Sequence, residues 1–472
     1  MTIIVLVITV AHVLGVLSSI SALMSMRTPQ GAIAWIVSLN TIPYITVPAY
    51  WIFGRSKFQG YVFARKGQDS EIRDSLGRVQ QKIDPHVSAH GQEYGRVRAV
   101  ELLAQMPFSA GNQADLLIDG DATFQSIFEG IDNARDYLLV QFYIVRDDEL
   151  GRSLKDKLIA KRKDGLEVYF LYDEIGSHEL PRAYINELSD AGVSIRSFHS
   201  NRGRWNRFQL NFRNHRKVVV ADGEIGWLGG LNVGDEYMGR NPKFGHWRDT
   251  HMRLEGPSVL GLQLAFLEDW HWSSGQVLDL AWEPQAHTEG SQHVLIVPSG
   301  PADSVETASL MFQHAIHSAD ERIWIASPYF VPDEGVTAAL QLAVLRGVDV
   351  RVLIPKKPDS LLVHFSMFAF LGRMIDSGVK IYRYGPGFLH EKVFLVDQYV
   401  AGVGTANLDN RSFRLNFEIT AVVIDDNFAS QIEKMFQTDF TSAELVTHQQ
   451  LEARSFLSKL ASRAAYLLAP LQ

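Results

Sequence analysis

At 472 residues, with 46% apolar and 21% charged side chains, the chain is long enough for two folded units and too apolar to be disordered. A net charge of −8 argues against a general nucleic-acid binder, and the absence of cysteine excludes disulfides, thiolate nucleophiles and cysteine-zinc sites. The 16 histidines show no H-E-x-x-H or similar ligand spacing, so no metal is expected.

Residues 2–26 and 31–54 carry no charged side chain, and each stretch is long enough to cross a bilayer as a helix. The polar turn Arg27-Thr28-Pro29-Gln30 between them predicts a membrane hairpin of two hydrophobic helices over residues 1–54. The first stretch lacks the basic start of a cleaved signal peptide. In the second, Pro43 and Pro48 predict bending, and a re-entrant or interfacial course fits the same composition. The cations that follow (Arg55, Lys57, Arg65, Lys66, Arg73) predict a multi-pass protein whose large remainder is cytoplasmic.

Residues 55–110 read as a polar connector with some helix. From residue 111 onward strands and helices alternate, and one order of elements is traceable twice, over 111–285 and 286–472. In the first copy, helical periodicity over 124–134 is followed by an apolar strand at 137–145, a helix at 154–163 and strands beginning at 165 and 191. In the second copy, 305–318, 322–329, 336–346, 347 and 377 take the same order. The alternation predicts an α/β sheet sandwiched by helices, built twice. Residues 361–374 are an unusually apolar predicted helix, suited to burial or to membrane docking. The tail, 451–471, is a predicted amphipathic helix with Arg454, Lys459 and Arg463, expected to pack on the core.

One string is written twice. His215-Arg216-Lys217 leads to Asp222 and then to Gly229-Gly230-Leu231-Asn232. His390-Glu391-Lys392 leads to Asp397 and then to Gly404-Thr405-Ala406-Asn407. Both read H-x-K-x-x-x-x-D followed by G-x-x-N, and every corresponding pair keeps one offset. Such a duplication predicts one site assembled from two halves. Each Lys opens a predicted strand, and side chains two apart share a face, so His215 points with Lys217 and His390 with Lys392. Two lysines and two asparagines suit an anion, most naturally a phosphate. One imidazole can attack phosphorus while the other, protonated, serves the departing alcohol. Two carboxylates occupy comparable places after the two Asn: Asp249 is expected to orient His215, and Glu418 to orient His390. His251 and His364 read as core or surface residues. Between Gly192 and His215 the first copy carries an insertion absent from the second, basic and aromatic, with Arg202, Arg204, Trp205 and Arg207. It suits contact with anionic head groups, although an exposed loop fits the same pattern.

These strings resemble the HKD signature of the phospholipase D superfamily. With Leu117-Ile-Asp-Gly120, Gln141-Phe-Tyr-Ile144, Asn211-Phe-Arg-Asn214, Gly234-Asp-Glu-Tyr237, Ser327-Pro-Tyr-Phe330 and Asn407-Leu-Asp-Asn410, the chain is similar to the bacterial cardiolipin synthases over nearly its whole length. The resemblance implies an α/β fold of two fused phospholipase D-like α-β-α sandwich half-domains related by internal repeat, behind an N-terminal transmembrane hairpin in the bacterial inner membrane. It implies transfer of a phosphatidyl group between two phosphatidylglycerol molecules, giving cardiolipin and glycerol, with no cofactor. His215 would be the nucleophile and His390 the acid and base; Lys217, Lys392, Asn232 and Asn407 would hold the phosphate. In relatives the motif Asp tends to be structural, which makes Asp222 and Asp397 the weaker members of the catalytic set. Thr405 offers the phosphate a hydroxyl where Gly230 has none. A hydrolytic phospholipase D, or a transphosphatidylase with another acceptor alcohol, is the alternative. A phosphodiester nuclease fits the membrane segment and acidic balance badly. Intact His, Lys and Asn in both copies argue against an inert scaffold.

Overall fold

The computed structural model describes residues 2–26, 28–54, 61, 77, 82–87, 97–198 and 211–471. Arg202, Arg204, Trp205 and Arg207 lie outside the described residues, as do Arg55, Lys57, Arg65, Lys66 and Arg73. The N-terminal apolar stretch forms helix α1 (Thr2–Ser25). At about 1.5 Å per residue it outreaches the ~30 Å hydrocarbon core of a bilayer, and Ile4–Ser25 is its candidate span. The second stretch, expected as one helix bent by its prolines, is two helices, α2 (Pro29–Thr41) and α3 (Pro43–Phe53). Pro43 is the reason: it has no N–H to donate, it disfavours helical geometry in the residue before it, and Ile42 leaves the helix with φ −134° and ψ 57°. The α2–α3 corner lies against the middle of α1. A Cβ on Gly15 would come within 2.3 Å of the Leu39 carbonyl oxygen, and Asn40 donates to Ser19 Oγ at 2.8 Å. Helix α3 then runs back along α1, with the Tyr50 hydroxyl donating to Ser21 Oγ at 3.1 Å and Trp51 to Ser18 Oγ at 3.3 Å.

Beyond the anchor, one continuous sheet carries the site. Its strands are β1 (Ser109–Ile118), β2 (Tyr137–Phe142), β3 (Glu167–Asp173), β4 (Ser194–Phe198), β5 (Val218–Ala221), β6 (Ile225–Gly229), β7 (Thr250–Glu255), β8 (Gln292–Ser299), β9 (Arg322–Ala326), β10 (Asp349–Pro355), β11 (Lys380–Tyr384), β12 (Val393–Val396), β13 (Val400–Gly404) and β14 (Asn416–Ile424). Across the sheet the order is β4-β3-β2-β5-β6-β7-β1, continuing as β8-β14-β13-β12-β9-β10-β11, with Ala443–Leu445 at the far edge. Strands β2, β3 and β4 are mutually parallel, as are β9, β10 and β11. Strand β1 joins the two sets: Gln113–Ile118 pairs with β7, while Ser109 and Asn112 pair with β8. Strands β5 and β12 are buried throughout, which is why both sequences are unbroken apolar runs rather than alternating ones.

Helices α4 (Val259–Ser274), α5 (Leu361–Asp376), α6 (Asp426–Thr441) and α7 (Phe456–Tyr466) complete the elements needed below. Helix α4 buries Phe266, Leu267 and Trp270, and α6 buries Phe428, Ile432 and Phe436, in one core shared by both sets of strands. Each of these helices also carries a buried carboxylate that pairs with an arginine. Asp269 takes the Arg216 guanidinium at 3.0 Å, and Asp439 takes Arg248 through two bonds of 2.9 and 2.8 Å. Both arginines stand beside the motifs, so the floor of the site is pinned by buried ion pairs whose disruption would leave uncompensated charge.

The motif aspartates are structural, a correction to their inclusion in the catalytic set. Asp222 sits at φ 57° and Asp397 at φ 51°, in left-handed turns at the ends of β5 and β12 remote from the lysines. Asp222 accepts from the amides of Arg135, Asp136 and Tyr137 at 2.8–2.9 Å. Asp397 accepts from those of Asp320, Glu321 and Arg322 at 2.8–3.0 Å. Asp tolerates the left-handed region, and its carboxylate caps the start of the neighbouring strand. Asp397→Ala is expected to cost about 2–4 kcal/mol by orphaning these amides. Thermal unfolding should shift down while turnover per folded molecule is kept.

Candidate active site

Two short pairings between the strand sets bring the motifs together. Arg213 and Asn214 lie parallel to Asn416 and Phe417, and the His215 amide donates to the Phe417 carbonyl at 2.9 Å. Gly387–Leu389 lies parallel to His246–Arg248, and the His390 amide donates to the Arg248 carbonyl at 2.8 Å. Each motif is thereby inserted next to the other half's carboxylate. His215 Nδ1 is 2.8 Å from Glu418 Oε2, and His390 Nδ1 is 2.7 Å from Asp249 Oδ2. This reverses the expected assignment, in which Asp249 served His215 and Glu418 served His390. The carboxylate nearer in the chain belongs to the same half, but strand exchange carries each histidine across to the opposite one.

The two carboxylates are held differently. Glu418 also accepts from the hydroxyls of Thr405 (2.6 Å) and Ser412 (2.8 Å) and from Asn416 Nδ2 (3.0 Å). Thr405 Oγ1 in turn accepts the Ile419 amide at 2.9 Å. Its hydroxyl is thus committed to Glu418, which corrects its assignment as a phosphate ligand. Asp249, one methylene shorter, accepts the Thr250 amide at 2.8 Å. At the position equivalent to Thr405 stands Gly230, and a Cβ there would meet Asp249 Oδ1 at 1.9 Å. Glycine is therefore what lets Asp249 reach His390. Gly230→Ala is expected to displace that carboxylate and lower turnover by about 10²-fold, and wild-type rates in that variant would contradict this.

The other site residues converge on the same place. Lys217 is fully buried; its Nζ donates to the His215 carbonyl at 2.5 Å and lies 5.4 Å from the Tyr143 ring centroid. Lys392 donates to the His390 carbonyl, and its Nζ is 3.9 Å from Asp249 Oδ2. Lys392 Nζ also lies 2.7 Å from His390 Nδ1. With Asp249 ionised, the ring proton sits on Nδ1 and faces the carboxylate, so the ammonium's bond is to the carbonyl. Asn232 Oδ1 accepts the Ile144 amide at 3.0 Å. Asn407 is buried, and its Oδ1 has no hydrogen-bond partner among the described residues. Tyr143 stands edge-on to His215 at 5.0 Å between centroids, and Trp247 packs on His390 at 5.1 Å.

Tyr143, Tyr329, Ser412 and Asn416 were not singled out from the sequence. The tyrosines had a signal: each is the second residue beyond Gln141 or Ser327 in corresponding stretches after β2 and β9. The Tyr329 hydroxyl donates to Asp359. His251 is buried on β7, in keeping with a core role.

Burial dominates the electrostatics. It pushes His215 down to about 4 against the pull of Glu418, and His390 down to about 3, where Lys392 adds to the effect and Asp249 opposes it. Burial also lowers Lys217 well below its ordinary value and brings Lys392 down to about 8. Each lysine acts on the opposite half's histidine, Lys392 on His215 and Lys217 on His390. Burial alone would raise Glu418 and Asp249, but His215 holds the first below its usual range, and Lys392 with His390 the second. Ionised carboxylates facing neutral imidazoles put the proton on Nδ1 and leave the lone pair on Nε2. Each lysine Nζ has N–H groups left over after its bond to a carbonyl, and a phosphate would satisfy them.

Comparison with known proteins agrees with this geometry. The family described as "Cardiolipin synthase, PLD-like domain" matches residues 127–243 and 312–440, and "Phospholipase_D-nuclease N-terminal" matches residues 4–55. The chain is 47% identical to "Cardiolipin synthase A" of Pseudomonas putida (strain W619), covering 98% of both chains. It is also 47% identical to the protein of the same name from Pseudomonas fluorescens (strain SBW25), covering 98% of this chain and 96% of the other. Among solved structures, the phosphatidylserine synthase of Haemophilus influenzae Rd KW20 aligns with a TM-score of 0.62 at 16% identity, covering 80% of this chain and 100% of that one, a likeness of fold. With two motif-bearing strand sets closed on one site and relatives this similar end to end, the chain belongs to the cardiolipin synthase family with phospholipase D-like domains.

Proposed function

We propose that the chain moves a phosphatidyl group from one phosphatidylglycerol to the hydroxyl of a second, giving cardiolipin and glycerol. The observation that carries this reading is the crossed pair of histidine–carboxylate bonds, His215 with Glu418 and His390 with Asp249, sharing two buried lysines. Lys217 and Lys392 neutralise the phosphodiester, and Asn232 and Asn407 complete its cradle. Nε2 of His215 attacks phosphorus while the bond to the glycerol oxygen breaks. Protonated His390 gives that oxygen its proton. The neutral His390 then takes the proton from the second phosphatidylglycerol hydroxyl, whose oxygen attacks phosphorus and breaks the P–N bond. Glu418 and Asp249 keep each ring in the required tautomer throughout.

The two strand sets are, on this reading, copies of one phospholipase D-like α-β-α unit, with boundaries near residues 111–285 and 286–472. Among the described residues helix α1 is the one candidate span; on this reading the α2–α3 pair enters only part of the bilayer and returns, so the N-terminus and the catalytic body lie on opposite faces, the body cytoplasmic. This reading differs from the multi-pass expectation. An N-terminal tag accessible from outside intact cells freed of the outer membrane supports it, and a protected tag refutes it.

Purified full-length protein given phosphatidylglycerol in mixed micelles should release cardiolipin and glycerol in equal amounts. Phosphatidic acid as the sole phospholipid product would instead make the enzyme a hydrolase. Binding should also move protons. The unliganded site keeps Lys392 near 8 and the histidines well below their usual value, and an added anion favours every protonated form, raising these pKa values. Net proton uptake is therefore expected when glycerophosphoglycerol, fully ionised at pH 8, binds. Calorimetry in buffers of different ionisation enthalpy measures it, and zero or negative uptake would contradict the electrostatic reading.

A further inference from the structure

Helix α7 packs the wrong way round for an ordinary core helix. Ser455 caps it by accepting the Ser458 amide. The face turned to α5 is mostly small and polar: Ser462 and Ala465 are buried, the Arg454 guanidinium lies 3.8 Å over the Phe368 ring, and Tyr466 is the one large side chain, edge-on to Phe370 at 5.3 Å. Arg454 also donates to Ser458 Oγ at 2.7 Å and Ser462 Oγ at 2.9 Å. The opposite face is apolar and exposed. Phe456 is 76% exposed, Leu457 73%, Leu460 54% and Leu467 78%. Leu361 and Leu362 at the start of α5 are exposed as well. A soluble helix normally turns its leucines inward and its serines out. The inversion leaves the exposed face of α7 apolar, a pattern that marks an interaction site.

Two observations fix the partner. The surface continues into the anchor: Thr28, which caps α2, and Gln30, in its first turn, line one groove with Leu467 and Pro470. It is also edged by cations, since Arg373, Lys459 and Arg463 line the groove between α5 and α7. Asp376, 3.2 Å from His448, and Glu452 lie on the same rim, and Arg373 pairs with Glu334 at 3.4 Å, so Lys459 and Arg463 carry the basic edge. An apolar helix face with a basic edge beside a membrane span suits an anionic lipid surface.

We propose that the exposed face of α7, with Leu361 and Leu362, is a second membrane contact that lies in the head-group region of an anionic bilayer and holds the catalytic body against it. The proposal rests on α1 being the anchor and not on the reaction assigned above. It predicts that the tail is a docking element that brings the site within reach of lipid substrates.

The cysteine-free sequence makes the test direct. Full-length Leu457→Cys, labelled with nitrobenzoxadiazole, is reconstituted through its own anchor into vesicles of phosphatidylglycerol with phosphatidylcholine, or of phosphatidylcholine alone. The expected result is a blue-shifted probe quenched by nitroxides on the upper acyl chain in the anionic vesicles, with both effects reduced without anionic lipid. A probe that stays open to aqueous iodide in anionic vesicles overturns the proposal. So does protection that appears in detergent and grows with protein concentration, which would identify a second copy as the partner. In parallel, the Leu457→Glu/Leu460→Glu variant alters only exposed positions. Its turnover should fall on the order of tenfold with bilayer substrate yet stay near wild type in mixed micelles. An equal loss in both also refutes the proposal.

Discussion

His215→Ala is expected to lower cardiolipin formation by about 10⁴-fold or more without unfolding the protein. The side chain is buried, but it is packed against Tyr143 and bonded to Glu418 rather than set in an apolar core. Its loss therefore removes the nucleophile while the sheet persists. His390→Ala should be comparably inactive in the full reaction, and the double variant should be little worse than either single one, because the two rings act in one sequence of bonds. Quantifying cardiolipin by mass spectrometry against circular dichroism of the same samples checks both statements. A His215→Ala enzyme that turns over at wild-type rates would remove the catalytic role and revive an inert membrane scaffold.

The second large effect concerns the crossed carboxylates. Glu418→Gln keeps the volume but replaces an acceptor with a group that can offer an N–H to Nδ1. The ring would then carry its proton on Nε2, the atom required for attack. A loss of about 10²–10⁴-fold is expected. Asp249→Asn should cause a similar loss with phosphatidylglycerol, but by a different route, since it weakens the acid on His390. The two separate when the leaving group needs no proton. With a p-nitrophenyl phosphodiester analogue, Asp249→Asn should recover the first-turnover burst of p-nitrophenol, which needs no acid, and Glu418→Gln should not. The opposite pattern would mean that each carboxylate serves the histidine of its own half.

Much of this was legible in the sequence. The duplicated string predicted that His215, Lys217, His390 and Lys392 belong together, and the unbroken apolar runs after each lysine predicted central strands. What the sequence did not reveal is how the halves exchange edges. Nothing local to Asp249 says that His390 reaches it. That follows from Gly387–Leu389 pairing with His246–Arg248, a contact between segments far apart in the chain. The same reason explains Thr405, whose hydroxyl looked like a phosphate ligand until the strand carrying Glu418 was seen beside it. Asp222 and Asp397 were ambiguous because a carboxylate near a catalytic lysine in sequence reads as chemistry. Their left-handed turns carry them to the other end of the strand, where they cap backbone amides. In the anchor, Pro43 and Pro48 both predicted bending of residues 31–54, but only Pro43 ends a helix and folds that length into two helices reaching only the middle of α1, whereas Pro48 stays inside α3.

One phosphodiester, on this mechanism, is passed through His215 with His390 opposite. Quenching the His390→Ala enzyme in alkali, where phosphohistidine survives, after exposure to the p-nitrophenyl analogue bearing a phosphatidyl group, and then mapping peptides by mass, should find a stoichiometric phosphatidyl-derived adduct on the peptide containing His215. An adduct on another residue, or a competent enzyme that never forms one, would rule the mechanism out.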